Sequence, residues 1–158
     1  MGKSEKQKAL DKELLRECQG YTTRDIKPDG AYIQEGGWFF NLNKIKRLIA
    51  SGADVRAKDR NGYTPLHLAI RSDNIEIAKL LIVSGADVRA YSDNGFTPLH
   101  SAVYCDNIEI AKLLIDSGAN VEAKDCSLGR TPSQWAWDQS WGRKSWEMID
   151  LLKKHGAK

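Results

Sequence analysis

Two consecutive stretches of the chain, Lys58 to Ala90 and Tyr91 to Ala123, match at 22 of 33 positions without a gap. Each carries Thr-Pro-Leu-His, then Asp-Asn-Ile-Glu-Ile-Ala-Lys-Leu-Leu-Ile, then Ser-Gly-Ala. A period of this length marks an array of stacked units, each burying its apolar face against a neighbour, and not one closed globule.

Elementary chemistry predicts what each unit does. Thr64 and Thr97 stand directly before Pro65 and Pro98. A threonine hydroxyl caps a helix start, and proline is welcome in the first turn because its missing N–H costs nothing there. Each Thr-Pro therefore opens a helix, which runs to a turn at Asp73-Asn74 in the first copy. A second helix follows, with Ile75, Ala78, Leu81 and Ile82 at three- and four-residue spacing and Gly85 as its stop signal. Asn61-Gly62 and Asn94-Gly95 are tight-turn pairs, so each connection projects as a short finger.

Gly62-Tyr63-Thr64-Pro65-Leu66-His67, its copy from Gly95 to His100, and the Ser-Gly-Ala endings at 84–86 and 117–119 resemble the ankyrin-repeat family. The likeness extends upstream to Asn41 to Ala57, which reads as a second helix and ending, and downstream to Thr131-Pro132 and His155-Gly156-Ala157. It implies an all-α solenoid of about four helix-turn-helix repeats with β-turn fingers, plus an N-terminal helix. The expected divisions are a helix and linker at 1–28, a degenerate capping repeat at 29–57, clear repeats at 58–90 and 91–123, and a tryptophan-rich capping repeat at 124–158.

Both flanking units depart from the pattern. The last has Ser133-Gln134 in place of Leu-His and gathers Trp135, Trp137, Trp141 and Trp146. Large aromatics suit the open end of a stack, so Trp135 and Trp146 are expected to close the core. Trp141, beside Gly142-Arg143-Lys144, could equally contact a partner. In the first unit Ala-Tyr-Ile-Gln-Glu-Gly-Gly-Trp-Phe-Phe replaces Thr-Pro-Leu-His, and each glycine weakens a helix by about 1 kcal/mol, so its first helix is expected to be short or broken. Trp38, Phe39 and Phe40 are expected to cover that end of the stack.

Residues 4–18 read as an amphipathic helix with Leu10, Leu14, Leu15 and Cys18 on one side. It either caps the first repeat or detaches to bind a partner. Lysines and acids alternate along it as on a solvated face, and the net charge is only +3, so attraction to nucleic acid or membrane is not implied. Its apolar pattern is too short for a coiled coil.

Cys18, Cys105 and Cys126 cannot all pair internally and form no C-x-x-C, which fits a reducing compartment. No signal-peptide-like or membrane-spanning apolar run is present, so a cytoplasmic protein is expected, though delivery into another cell by a leaderless route would look the same. Gly2-Lys3-Ser4 lacks the rest of a phosphate loop, and Lys6 stands where a myristoylation signal needs Ser or Thr. The resemblance assigns His67 and His100 to structural bonds between helices and loops. Neither has a second metal ligand three or four residues on. No cofactor, metal or catalytic group is expected.

In the ankyrin family, partners are usually bound by finger tips and the exposed side of each first helix. Carried over by position, this selects Lys58, Arg60, Asn61, Tyr63 and Arg71, then Tyr91, Asp93, Asn94, Phe96 and Tyr104, then Lys124, Cys126, Arg130 and Asp138. Four of the 11 differences between the two copies, Lys58/Tyr91, Arg60/Asp93, Tyr63/Phe96 and Arg71/Tyr104, fall on these positions. Aromatics and arginines together make a hot-spot composition, with Lys58, Arg60 and Arg71 as a basic margin suited to acidic or mixed-charge partners. Tyr63 and Phe96 could instead pack on neighbouring fingers.

The leading expectation is a monomeric, non-enzymatic module that binds one partner protein as adaptor or inhibitor, including an immunity-type neutraliser or a host-directed effector. The alternatives are a nucleic-acid binder using Arg60, Arg71, Arg89 and the aromatics, and an enzyme built on Cys105 or Cys126.

Overall fold

A computed structural model describes residues 2–20, 33–35, 38–138 and 145–157, with the backbone alone at 33–35 and 38–40. Among these are eight α-helices: α1 (Glu5–Gln19), α2 (Leu42–Ala50), α3 (Pro65–Arg71), α4 (Ile75–Val83), α5 (Pro98–Tyr104), α6 (Ile108–Asp116), α7 (Pro132–Trp137) and α8 (Trp146–Lys154). The helical repeat architecture is as the sequence implies. A short antiparallel ribbon, β1 (Ile33–Glu35) with β2 (Trp38–Phe40), is the one other regular element described. The chain divides into two compact units, Met1–Ala86 and Asp87–Lys158.

In the first unit α3 pairs with α4, while α1 packs on both α2 and α3. The stretch expected to hold a short or broken first helix carries the ribbon instead, and α1, far upstream, is the helix paired with α2. Residues 21–32, 36, 37 and 139–144, with Trp141 among them, lie outside the described residues, as do the side chains of Trp38, Phe39 and Phe40. In the second unit α5 pairs with α6 and α7 with α8, and α7 stacks on α5 as α8 does on α6.

The repeated sequence explains the repeated geometry. Asn74 caps α4 by accepting from the Ile77 N–H, and Asn107 caps α6 by accepting from the Ile110 N–H. The preceding Asp73 and Asp106 take left-handed φ of 57° and 55°, which a short polar side chain tolerates. Leu81 in α4 and Ile110 and Leu114 in α6 are wholly buried. Arg56 Nε reaches the Gly85 carbonyl at 3.0 Å, and one period later Arg89 Nε reaches the Gly118 carbonyl at 2.7 Å. These arginines close helix ends, since the last carbonyls of a helix need donors from outside it.

Leu14 and Cys18 seat α1 apolarly, both fully buried. Charges hold its flanks. Asp11 accepts from Lys3 Nζ at 2.8 Å, Gln7 Nε2 at 2.7 Å and the Asp54 N–H at 2.8 Å. Lys44 of α2 meets Glu13 at 2.8 Å and Glu17 at 2.7 Å. Burial alone would lower the Lys44 pKa, but the two carboxylates outweigh it and hold it above its ordinary value. Burial, with the Glu17 charge adding to it, pushes the Cys18 thiol up. Cys18 should therefore resist a thiol reagent while Cys126, which is exposed, reacts. Mass spectrometry of the labelled protein checks this, and Leu14→Ala should speed Cys18 labelling by loosening α1.

The sequence implies that Trp146 closes the core, and Ile149 and Leu152 stand at helical spacing from it. Both of those are buried, together with Met148 and Leu151, but Trp146 is 60% exposed. The buried face of α8 centres near Met148 and Leu152, and at about 100° per residue Trp146 falls well off it. Its ring lies edge-on to Trp137, centroids 5.4 Å apart, and Lys153 Nζ sits 5.3 Å from the Trp137 centroid.

Candidate partner-binding surface

Each finger is held by one polar side chain at its base. Asp59 N–H donates to the Tyr63 carbonyl at 2.9 Å and Gly62 N–H to the Asp59 carbonyl at 3.1 Å, while the Asp59 carboxylate accepts from the N–H of Asn61 and Tyr63. Ser92 does the same in the next copy, its N–H donating to Phe96 O and its hydroxyl accepting the Phe96 N–H at 3.2 Å. Gly62 and Gly95 adopt φ of 75° and 74°, whereas Asn61 and Asn94 do not go positive. The fingers are thus three-residue loops closed by a left-handed glycine, not the two-residue turns that the Asn-Gly pairs suggest.

The third finger is built on Asp125, only 4% exposed. One carboxylate oxygen accepts the N–H of Ser127 at 3.1 Å, Leu128 at 2.9 Å and Arg130 at 3.3 Å, and the other accepts Trp135 Nε1 at 2.6 Å. Burial alone would raise its pKa. The N–H of Leu128, the indole, and the N–H of Arg130 and Ser127 outweigh that and bring it down to about 2.

His67 and His100 are wholly buried and structural. Thr97 N–H donates to His100 Nδ1 at 3.2 Å, and Nε2 lies 3.1 Å from the Arg130 carbonyl. Nδ1 must therefore be unprotonated and Nε2 carry the hydrogen, a neutral ring tying helix to finger. Burial lowers its pKa below the ordinary 6.5, against smaller opposing effects of the Arg130 carbonyl and Asp125. In the last unit Gln134 Oε1 accepts the Thr131 N–H at 2.9 Å, so glutamine takes over the capping half of the histidine's task. His100→Gln should cost about 1 kcal/mol. Because the unfolded histidine takes up a proton that the folded one refuses, wild-type stability should decline as pH falls below about 6.5. Urea titrations across pH should find that slope reduced in the variant.

The residues selected from sequence fall into two kinds. Lys58, Arg60, Asn61 and Arg71 are exposed in the first unit, as are Tyr91, Asp93, Asn94, Tyr104, Lys124 and Cys126 in the second. Others are engaged within the molecule. Tyr63 is half-buried, its ring 5.6 Å from His67, with the Arg71 guanidinium 5.0 Å from its centroid. Phe96 packs between His100 at 5.4 Å and Trp135 at 5.1 Å. Arg130 pairs with Asp138 and lies 5.6 Å from the Trp135 centroid. In the second unit Tyr104, Cys105 and Asp106 at the end of α5 line a cleft of about 430 Å³ together with Trp135, Asp138 and Met148. Among the described residues that line it none is a histidine.

In the first unit Lys58 and Arg60 face a second cleft, about 660 Å³, across from Lys8, Lys12 and Arg16 of α1. Those three α1 residues are exposed, as the reading of their sequence as a solvated face implies. Among the described residues no group of three or more His, Cys, Asp or Glu is placed to hold a metal ion, and no helix is long and apolar enough to cross a membrane.

A family model described as ankyrin repeats (3 copies) matches residues 37–125, more than half of the sequence. With stacked helix pairs, Thr-Pro caps and fingers in place, the chain belongs to the ankyrin-repeat family, whose repeats are in general protein-protein interaction modules. It is 40% identical over 54 residues to Protein phosphatase 1 regulatory subunit 27 of Mus musculus, a match covering 34% of this chain and 35% of that protein. The chain thus spans about a third of the length of that relative.

Proposed function

We propose that this chain is a non-enzymatic, monomeric protein-binding module that recognises one partner protein through its finger tips and the exposed ends of α3 and α5. It acts by occupying or recruiting that partner, as an adaptor or an inhibitor, and inhibition by occlusion is the simplest mechanism. The supporting observation is where the two near-identical copies differ. Lys58/Tyr91, Arg60/Asp93 and Arg71/Tyr104 are exposed in both copies, while the shared Leu66/Leu99, Ala69/Ala102 and Leu81/Leu114 are buried in both.

Further support comes from charge, since a net charge of +3 is mild for a nucleic-acid binder. An enzyme built on Cys105 needs a base, and among the described residues lining the cleft the candidates are the carboxylates of Asp106 and Asp138, the latter paired with Arg130. A relative named as a regulatory subunit works, by that name, through another protein.

The test is capture from an extract of the source cell, comparing wild type with Tyr91→Ser plus Tyr104→Ser. Both tyrosines are nearly half exposed, at 45% and 48%, so folding should be unaffected by circular dichroism. A partner held by wild type and weakened at least about tenfold by the variant is expected. Equal capture by both would move the site off these residues.

A further inference from the structure

We propose that Leu128, at the tip of the third finger, is an apolar plug that enters a pocket on the surface of a folded partner protein. This rests on the protein-binding reading above and names the kind of surface the partner must present.

The third finger is one residue longer than the other two. Asp59 N–H closes on the Tyr63 carbonyl and Ser92 N–H on the Phe96 carbonyl, whereas Asp125 N–H reaches the Arg130 carbonyl. The character of the tip changes with its length. Arg60-Asn61 and Asp93-Asn94 are polar, while the third tip carries Leu128, which is 67% exposed. Most of that apolar side chain stands in water, and covering it stabilises a complex in proportion to the area buried.

A single exposed leucine on a loose loop would need no explanation. What distinguishes Leu128 is that its loop is already ordered. The Asp125 carboxylate accepts the N–H of Leu128 itself at 2.9 Å, together with those of Ser127 and Arg130, and is held in turn by the Trp135 indole. His100 Nε2 fixes the far side of the finger at the Arg130 carbonyl. Cys126 N–H donates to the Asn94 carbonyl at 3.0 Å, which ties the third finger to the second. Gly129, at φ of +63°, turns the chain back directly after Leu128, and a Cβ added there would meet nothing within 4 Å, so that flank of the tip is open. Leu128 is thus a protruding point on a fixed base, and seating it costs little conformational entropy.

Convexity selects the partner. A protruding side chain buries its surface only in a concavity, which a folded protein supplies and an extended peptide does not. Exposed Ser127 beside it gives the polar rim that an apolar interface centre carries. Tyr91, 45% exposed and directly before the second finger, offers a further contact on the same unit.

The probe is the protein captured by wild type, purified and titrated by calorimetry with the full chain and its variants. Leu128→Ala should weaken binding at least about tenfold and Leu128→Asp at least about a hundredfold, whereas Leu128→Met, which keeps volume and apolarity, should stay within about threefold. Ser127→Ala, on the same tip, should change affinity less than about twofold. Each variant should melt within about 3 °C of wild type, because these side chains face solvent in the free chain. Tryptic peptides of the captured protein should fail to compete, since the pocket exists only when that protein is folded. Unchanged binding by Leu128→Asp, or one peptide competing as tightly as the intact protein, would overturn the proposal. If the Leu128 variants bind at full strength while Tyr91→Ser plus Tyr104→Ser does not, the plug is refuted and the protein-binding reading stands. Capture of no protein at all would refute that reading and the plug with it.

Discussion

Asp125→Ala is expected to remove about 3 kcal/mol of folding free energy, lowering the melting temperature by about 10 °C. The carboxylate takes four hydrogen bonds, three from backbone N–H groups of the third finger and one from the Trp135 indole. Alanine leaves all four donors to find water or go unpaired, in a place where the side chain they served was 4% exposed. The pH dependence gives an independent check. A pKa brought from 3.8 to about 2 by folding makes the ionised form a source of stability. That contribution, about 2 kcal/mol, is fully present above pH about 4 and is lost as pH falls through about 2. Denaturant titrations from neutral to acidic pH should show wild type losing its advantage over Asp125→Ala within that interval. A constant difference across it would mean the carboxylate is not what holds the finger.

Gly95→Ala is expected to cost about 3 kcal/mol as well, for a different reason. A Cβ at this residue would lie 2.6 Å from Cys126 Sγ and closer still to the Cys126 backbone N, and φ is +74°. The backbone cannot step aside without breaking the Cys126 N–H bond to the Asn94 carbonyl, 3.0 Å long, which joins the second finger to the third. Gly85→Ala supplies the comparison. Its φ of +89° is equally unfavourable to alanine, but nothing lies within 4 Å of the added carbon. It should therefore cost only about 1 kcal/mol, the backbone penalty alone. The difference between the two melting curves measures the contact between fingers, and equal losses would show that contact to be energetically idle.

Much of the repeat was legible because it is locally encoded. Thr-Pro caps, asparagine caps and glycine stops act within a few residues, so one sequence window suffices to place each helix. What escaped depends on distance or on loop shape. The packing of α1 on α2 and α3 bears out the helix capping the first repeat, but no local pattern shows that it pairs with α2 across the β1–β2 ribbon. Asp125 reads as an ordinary turn residue until the loop folds over it. Phe96 looks like a binding aromatic until Trp135, from the next repeat, closes on it at 5.1 Å. The charges of α1 alternate in sequence, and only docking reveals that Glu13 and Glu17 meet Lys44 of α2 while Asp11 bonds Lys3 and the Asp54 N–H.

The same distinction refines the binding residues. Among the positions at which the copies differ, Arg89/Glu122 has a structural cause, since Arg89 closes the end of α6. Leu68/Ser101 and Ile70/Val103 are buried substitutions within the core. Five differing pairs are exposed in both copies; Val83/Asp116 and Asp87/Asn120 lie at and beyond the ends of the second helices, and Lys58/Tyr91, Arg60/Asp93 and Arg71/Tyr104, at the fingers and first-helix ends, are the ones we assign to recognition.

Grafting the first copy's exposed residues onto the second tests that division of labour directly. Tyr91→Lys, Asp93→Arg and Tyr104→Arg together leave every buried position of the second copy unchanged. Because the scaffold is shared, the melting temperature should stay within about 3 °C of wild type. Affinity for the captured partner, measured by calorimetry, should fall more than about tenfold. A folded variant that binds its partner as tightly as wild type would contradict the assignment of recognition to the residues by which the copies differ.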